Sequence, residues 1–327
     1  MKGFIKFGCK NIVVLATLFI TFSFRGIDNL EPLYPQTNIG KVGIDNYVGN
    51  LKDVFGDVKQ AQIGNSISTT TEVDNLLKGF EALGVNGIRI TIFPEGENPN
   101  EEIFDYLYTC AKSKGFKIMA NPALWDGAVR IANKVLHGTR IDFNNQKDTG
   151  PNSTLENDEA TTIVAKRIKA FAHKYKVDLI TPFNEDGAPG RKWSVEQINK
   201  IYRELHNNIN GAELMGPCTW GIPGGVKVLM QTDILQYISI ASTHNLGFNH
   251  KSWREFKNLA GDLPVWDSEV NNTVKFSDKD TRIDAALKVG VDGLVLYDSW
   301  KYISLKDGSI NKAGNIVKGK ILAQIQN

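Results

Sequence analysis

GIRITIFPEGENPNEEIFDYLYTCAKSKGFKIMANPAL, residues 87–124, carries two short apolar runs on either side of one amphipathic stretch. The runs at 87–93 (GIRITIF) and 116–124 (FKIMANPAL) have the length and apolar character of buried strands. Between them, residues 100–114 read as a helix that Gly115 stops. A strand, a helix and a second strand form the crossover unit from which parallel sheets are built.

Working outward, the same unit repeats. On the N-terminal side, residues 71–83 place Val73, Leu76, Leu77 and Phe80 at helical spacing before Gly84, and 41–45 (KVGID) reads as the strand ahead of them. On the C-terminal side, strands are expected at 179–185 (LITPFNE), 213–219 (ELMGPCT), 238–244 (ISIASTH), 264–269 (PVWDSE) and 293–298 (GLVLYD). Helices are expected at 158–176, 194–208, 225–231, 252–260, 281–289 and 315–325, and the polar stretch 126–157 reads as an elaborated loop. Eight strands with eight crossovers and no shift of composition predict an α/β fold, one single-domain (β/α)8 TIM barrel over residues 38–327. An open doubly wound sheet is the alternative, but no GxGxxG or GxxxxGK[ST] sits at a strand end to favour it.

Composition narrows the function classes. The chain has 327 residues, 42% hydrophobic and 23% charged, with a net charge of +2 and both signs interspersed. That supports a sizeable core and offers no basic stripe, so nucleic acid is not an expected partner. Lys2, Lys6 and Lys10 precede an apolar run at 12–24 that Arg25 and Asp28 close, the layout of a signal peptide over residues 1–26. The run is shorter than a bilayer span, so export is expected rather than a permanent anchor. Cys9 leaves with the signal, and Cys110 and Cys218 lie on separate elements where buried thiols are commoner than a bridge. No CxxC or HxxxH spacing occurs, and neither metal nor cofactor is expected. The expected form is a monomer.

A barrel enzyme builds its site at the C-terminal ends of its strands. Here Arg89 lies within strand two, Asn121 in strand three, Asn184 and Glu185 end strand four, His244 and Asn245 end strand six, Glu269 ends strand seven, and Trp300 follows strand eight. Any one of these has an ordinary reading: a helix cap, a loop hydrogen bond, a core tryptophan, or a buried structural ion pair for Arg89. Two glutamates converging on one mouth are harder to place that way, because burying carboxylates together costs free energy unless they are partnered or used. Glycoside hydrolysis uses such a pair, one as an acid for the leaving oxygen and one as nucleophile or base. Arg89 suits holding the second ionised. Trp300, Trp125 and Trp220 suit sugar platforms, since a pyranose C–H face packs on an aromatic plane.

In the Asn184-Glu185 of LITPFNEDG and the Glu269 of PVWDSEVNN, the chain resembles the clan A glycoside hydrolases, barrel enzymes with an Asn-Glu pair ending strand four and a glutamate ending strand seven. The resemblance implies that Glu185 is the general acid/base, that Asn184 binds the sugar 2-hydroxyl, and that Glu269 is the nucleophile of a retaining double displacement. It likewise implies substrate contacts for Arg89, His244 and Trp300. Strand six departs from the pattern, giving His244-Asn245 where several families have a tyrosine touching the nucleophile, which leaves the family open. Asp186 and Asp267 are rival carboxylates, and strict alternation would put Asp267 on the face of Glu269. An inverting hydrolase or lyase, and a silent carbohydrate-binding barrel, are the readings of other classes. A carboxyl separation of about 5 Å would mark retention and one near 8 Å inversion.

Overall fold

The computed structural model describes residues 51–58, 66–142, 149–274 and 279–325; the strand expected at 41–45 and the signal peptide expected over 1–26 lie outside them. The strands are β1 (Asp53–Asp57), β2 (Gly87–Ile92), β3 (Lys117–Pro122), β4 (Leu179–Ile180), β5 (Glu213–Pro217), β6 (Ile240–Thr243), β7 (Val265–Val270) and β8 (Gly293–Leu296). They pair in parallel, each with its neighbour in sequence and β8 with β1, and close into a barrel. The helices are α1 (Thr70–Leu83), α2 (Glu101–Ser113), α3 (Gly127–His137), α4 (Asp158–Lys174), α5 (Val195–Leu205), α6 (Ile222–Gln231), α7 (Trp253–Ala260), α8 (Arg282–Val289) and α9 (Lys312–Ile325). The architecture is the (β/α)8 barrel, and closure rules out the open sheet.

Local chemistry sets the helix ends. Thr69 accepts from the Glu72 N–H and Glu72 accepts from the Thr69 N–H, a capping box that starts α1, and Gly84 ends it at φ 89°. Ser194 with Gln197 and Thr281 with Asp284 start α5 and α8 in the same way.

Three expectations change. The first strand is DVFGD at 53–57, whose buried Val54 and Phe55 are flanked by acids. The supposed loop at 126–157 contains α3, whose Ala128, Val129, Ile131 and Ala132 are buried. Its cap comes from far along the chain: the Val129 N–H donates to Asp186 Oδ2 at 2.9 Å. Strand four is only two residues long, because Pro182 brings no N–H to the ladder and the Asn184 N–H is taken by Asp186 Oδ1 at 3.1 Å.

Inside the barrel, Phe55, Met119, Leu179, Met215, Ile240, Trp266 and Val295 form one cluster, with one residue from every strand except β2. β2 contributes Gly87, where a Cβ would lie 2.4 Å from the Phe55 ring, and, two residues on along the same face, Arg89. Apolar packing therefore fills the floor, and polar groups line the layer above it. Gly293 of β8 is needed for a similar reason, since a Cβ there would lie 2.3 Å from the Trp266 ring. Gly293→Ala is expected to destabilise the fold by about 1–3 kcal/mol through overpacking. Chemical denaturation measures this, and an unchanged midpoint would show that Trp266 has room to yield.

Candidate active site

Register brings the first charges together. Asp57 of β1 pairs with Arg89 of β2, and both side chains are buried. Arg89 donates to Asp57 through Nε at 2.9 Å and Nη2 at 2.8 Å, and its Nη1 donates to Glu269 Oε2 at 2.8 Å and to the Ser268 carbonyl at 3.1 Å. Burial alone would lower the pKa of the guanidinium, but Asp57 and Glu269 outweigh it and raise it, so the charge is permanent. Asp57 also accepts from the Asp298 N–H at 3.1 Å and donates its own N–H to Ser299 Oγ at 2.8 Å, tying the end of β8 into the network. Sequence reading missed Asp57 together with its strand; a carboxylate ending an apolar Val-Phe pair was the available signal.

Glu269 reaches Arg89 because β7 is irregular. The pairing of β7 with β8 shifts register between Asp267 and Val270. Trp266 belongs to the interior cluster, and Ser268 Oγ contacts Cys218 Sγ at 3.3 Å and His244 Nδ1 at 3.4 Å, so both point into the barrel. Asp267 between them therefore points outward, contrary to the expectation that it lines the interior, and the bulge turns Glu269 inward.

Glu185 lies beyond the end of β4 in the left-handed region, at φ 71°. A glutamate at such an angle costs of order 1–3 kcal/mol and persists only where its surroundings fix it. Here the Glu185 N–H donates to the Cys218 carbonyl at 2.9 Å, and the residue bridges to Thr219. Strain at a half-buried carboxylate in the barrel mouth is the kind that accompanies function. Glu185, His244 and Glu269 each bring one side-chain N or O atom to within 4.8 Å of the others. Two carboxylates and an imidazole form a donor set for a divalent cation. The guanidinium of Arg89, 2.8 Å from Glu269, already supplies the positive charge there and opposes a second cation.

No family model and no curated protein matches this chain. Among solved structures it is similar to a GH113 β-1,4-mannanase, at 11% identity and a TM-score of 0.53 over 84% of this chain and 99% of that one. It is also similar to the catalytic domain of GH30 xylanase C from Talaromyces cellulolyticus, at 13% and 0.51 over 84% and 76%. A third is a β-glucuronidase from Ruminococcus gnavus, at 10% and 0.55 over 83% of this chain and 49% of that chain. This chain shares their barrel fold.

The remaining candidates divide into those that face the mouth and those engaged in holding it. Asn184 is buried; its Oδ1 accepts from Asn121 Nδ2 at 2.8 Å and its Nδ2 donates to the Leu124 carbonyl, so this pair ties the ends of β3 and β4 together. Asn245 accepts from the Asn249 N–H at 2.8 Å and contacts His250 Nδ1 at 2.7 Å, which shapes the loop after β6. Asp186 is likewise structural: burial pushes its carboxyl up to about 7 while it caps α3 and meets Trp193 Nε1 at 3.4 Å. Trp220 is 53% exposed beyond β5. Trp125 is half-buried with the Arg130 guanidinium 5.5 Å from its ring centre. Trp300 is half-buried in a short 3-10 turn, with Lys301 Nζ at 5.7 Å from its ring centre. Tyr297, which sequence reading passed over, directly follows β8 within electrostatic range of Glu269, Asp57 and Arg89.

Proposed function

We propose that this protein is a retaining glycoside hydrolase acting on a β-linked glycan. The observation that carries the reading is the approach of one carboxyl oxygen of Glu185 to within 4.8 Å of one of Glu269, which agrees with the roughly 5 Å separation of a double displacement. Glu269, ion-paired with Arg89, attacks the anomeric carbon while Glu185 gives its proton to the departing glycosidic oxygen. In the second half, Glu185 takes a proton from water as the water oxygen displaces Glu269 from that carbon. Protonated Glu185 beside ionised Glu269 is a stable arrangement because two like charges so close disfavour each other, and Arg89 settles which one ionises.

An exposed Trp220 beside the mouth and the half-buried Trp125 and Trp300 supply ring faces for further sugars, which favours internal cleavage of a polymer. The fold shared with a β-1,4-mannanase and a xylanase agrees with a β-glycan. Export through residues 1–26 belongs to the same reading, and among the described residues no helix is long and apolar enough to cross a membrane.

The test is a screen of the purified protein against plant, algal and fungal glycans, with proton NMR of the first product to read its anomeric configuration. Retention is expected, and initial formation of the opposite anomer would overturn the mechanism. Glu185→Gln is expected to lower kcat/KM by about 10²–10⁴-fold. Activity surviving in that variant would remove Glu185 from its role. Tight oligosaccharide binding without turnover would favour the silent-barrel reading.

A further inference from the structure

The turn that carries Glu185 meets the start of α3 at a junction of strained backbone. Leu124, Asp126 and Glu185 all stand in the left-handed region, at φ 59°, 51° and 71°, and none of them is glycine. Such angles cost free energy in residues with a Cβ and persist only where surrounding contacts over-determine them. Here the contacts are hydrogen bonds between two short segments. The Asn184 carbonyl accepts the Gly127 N–H at 3.3 Å, and Asn184 Nδ2 donates to the Leu124 carbonyl. Asp186, 4% exposed, adds three more: its Oδ2 accepts from the Val129 N–H at 2.9 Å and from Trp193 Nε1 at 3.4 Å, and its Oδ1 accepts from the Asn184 N–H at 3.1 Å.

Asp186 thus grips both segments by their backbone N–H groups. Its bond to Asn184 reaches back across Glu185 and closes a ring of chain in which Glu185 is the middle residue. Its bond to Val129 anchors that ring to the first turn of α3, where Asp126 makes no side-chain cap and the N–H groups need an acceptor. On the other side, the Glu185 N–H donates to the Cys218 carbonyl at 2.9 Å. Gly187, two residues on, lies so close to β5 that a Cβ there would stand 2.7 Å from the Pro217 carbonyl oxygen. The backbone of Glu185 is therefore held from the end of β5 and from α3 together. Releasing the α3 side lets the left-handed turn relax, and a displacement on the order of 1 Å is enough to misplace a proton donor.

We propose that Asp186 is a positioning residue for the general acid/base: by tying the Glu185 turn to the first turn of α3, it holds Glu185 in its left-handed conformation with a carboxyl oxygen within 4.8 Å of Glu269. The inference rests on the glycosidase reading for its meaning in catalysis, while the clasp itself is measurable without substrate. A misplaced acid matters only where a proton is needed. Loss of Asp186 therefore slows substrates with basic leaving groups and spares those whose leaving group departs unprotonated. Damage to the fold alone slows all of them alike.

The experiment joins kcat/KM on aryl β-glycosides, built on the sugar that the glycan screen selects and graded in leaving-group acidity, to amide hydrogen exchange followed by NMR. Asp186→Asn keeps the size of the side chain but turns one accepting oxygen into a nitrogen that donates, set against the Val129 or the Asn184 N–H. It is expected to lower kcat/KM by about 10²-fold for the most basic leaving groups and by less than about threefold for the most acidic. Exchange of the Val129 and Asn184 amides, slow in the parent, should accelerate in the variant. Gly293→Ala, which disturbs the barrel floor away from this junction, should show no dependence on leaving group. A loss in Asp186→Asn that is equal across the series would overturn the proposal, as would unchanged kinetics or fast exchange of both amides in the parent. If Asp186→Asn does not fold, Val129→Pro decides by the same kinetic criterion, since proline is tolerated in a first helical turn and removes the donor while leaving Asp186 in place. Absence of any hydrolysis by the parent would sink the glycosidase reading alone, because exchange tests the clasp without turnover.

Discussion

Glu269→Gln is expected to reduce kcat/KM by on the order of 10⁴-fold or more while leaving the barrel folded, because removing a nucleophile eliminates the covalent step itself. Glutamine keeps the shape of the side chain and an acceptor for Arg89 Nη1, which now lies 2.8 Å from Glu269 Oε2. Packing and the fork from Arg89 to Asp57 should therefore persist, and oligosaccharide binding should change only a few-fold. Single-turnover kinetics and a binding isotherm on the same preparation separate the two effects. Activity within about tenfold of the parent would show that the attacking group lies elsewhere. Glu185→Gln should behave differently, because an aglycone that leaves without protonation bypasses the acid; an aryl glycoside with a good leaving group should regain rate in the bond-breaking step of that variant and not in Glu269→Gln.

The two glutamates were legible because their chemistry coincides with a pattern. Each ends an apolar run, and in a parallel barrel the run ends share one mouth. What escaped was set by contacts distant in sequence. Asp57 ends a strand of five residues bounded by acids, and nothing local distinguishes DVFGD from a loop until β2 and β8 flank it. α3 begins without a side-chain cap of its own, at an Asp126 with φ 51°, and takes one from Asp186 in the loop after the neighbouring strand β4. The inward turn of Glu269 depends on a bulge, and a period of two predicts the wrong face for Asp267. Asn184 and Asn245 were identified by position, yet position could not show that their amides already hold neighbouring loops. Alternation and run ends are encoded in order along the chain; caps, bulges and partner choice are encoded in which elements meet.

Arg89→Met should be the most damaging single change to the fold. The guanidinium is fully buried, and its removal leaves Asp57 without the two donors at 2.9 and 2.8 Å and Glu269 without the one at 2.8 Å. Breaking a buried pair by deleting one partner costs about 3–5 kcal/mol, since the remaining carboxylates must either stay charged in a dry site or bind protons. Against a total of roughly 5–15 kcal/mol for a folded domain that is a large share. At about 2–4 °C per kcal/mol, the melting temperature should fall by roughly 10 °C. The sign with pH follows from the same groups. In the parent, Arg89 Nη1 stands 2.8 Å from Glu269 Oε2 and favours its carboxylate form; in the variant that support is gone, so the deficit should be greatest at neutral pH and shrink towards acid, where protonation relieves the unpaired charge. Arg89→Lys, which keeps a charge but cannot span Asp57 and Glu269 with one planar fork, should fall between the two. Thermal unfolding of the three proteins across pH measures this. A deficit for Arg89→Met that stays constant with pH would mean lost packing, rather than charge, is what Arg89 contributes, and would weaken its assignment as the group that keeps Glu269 ionised.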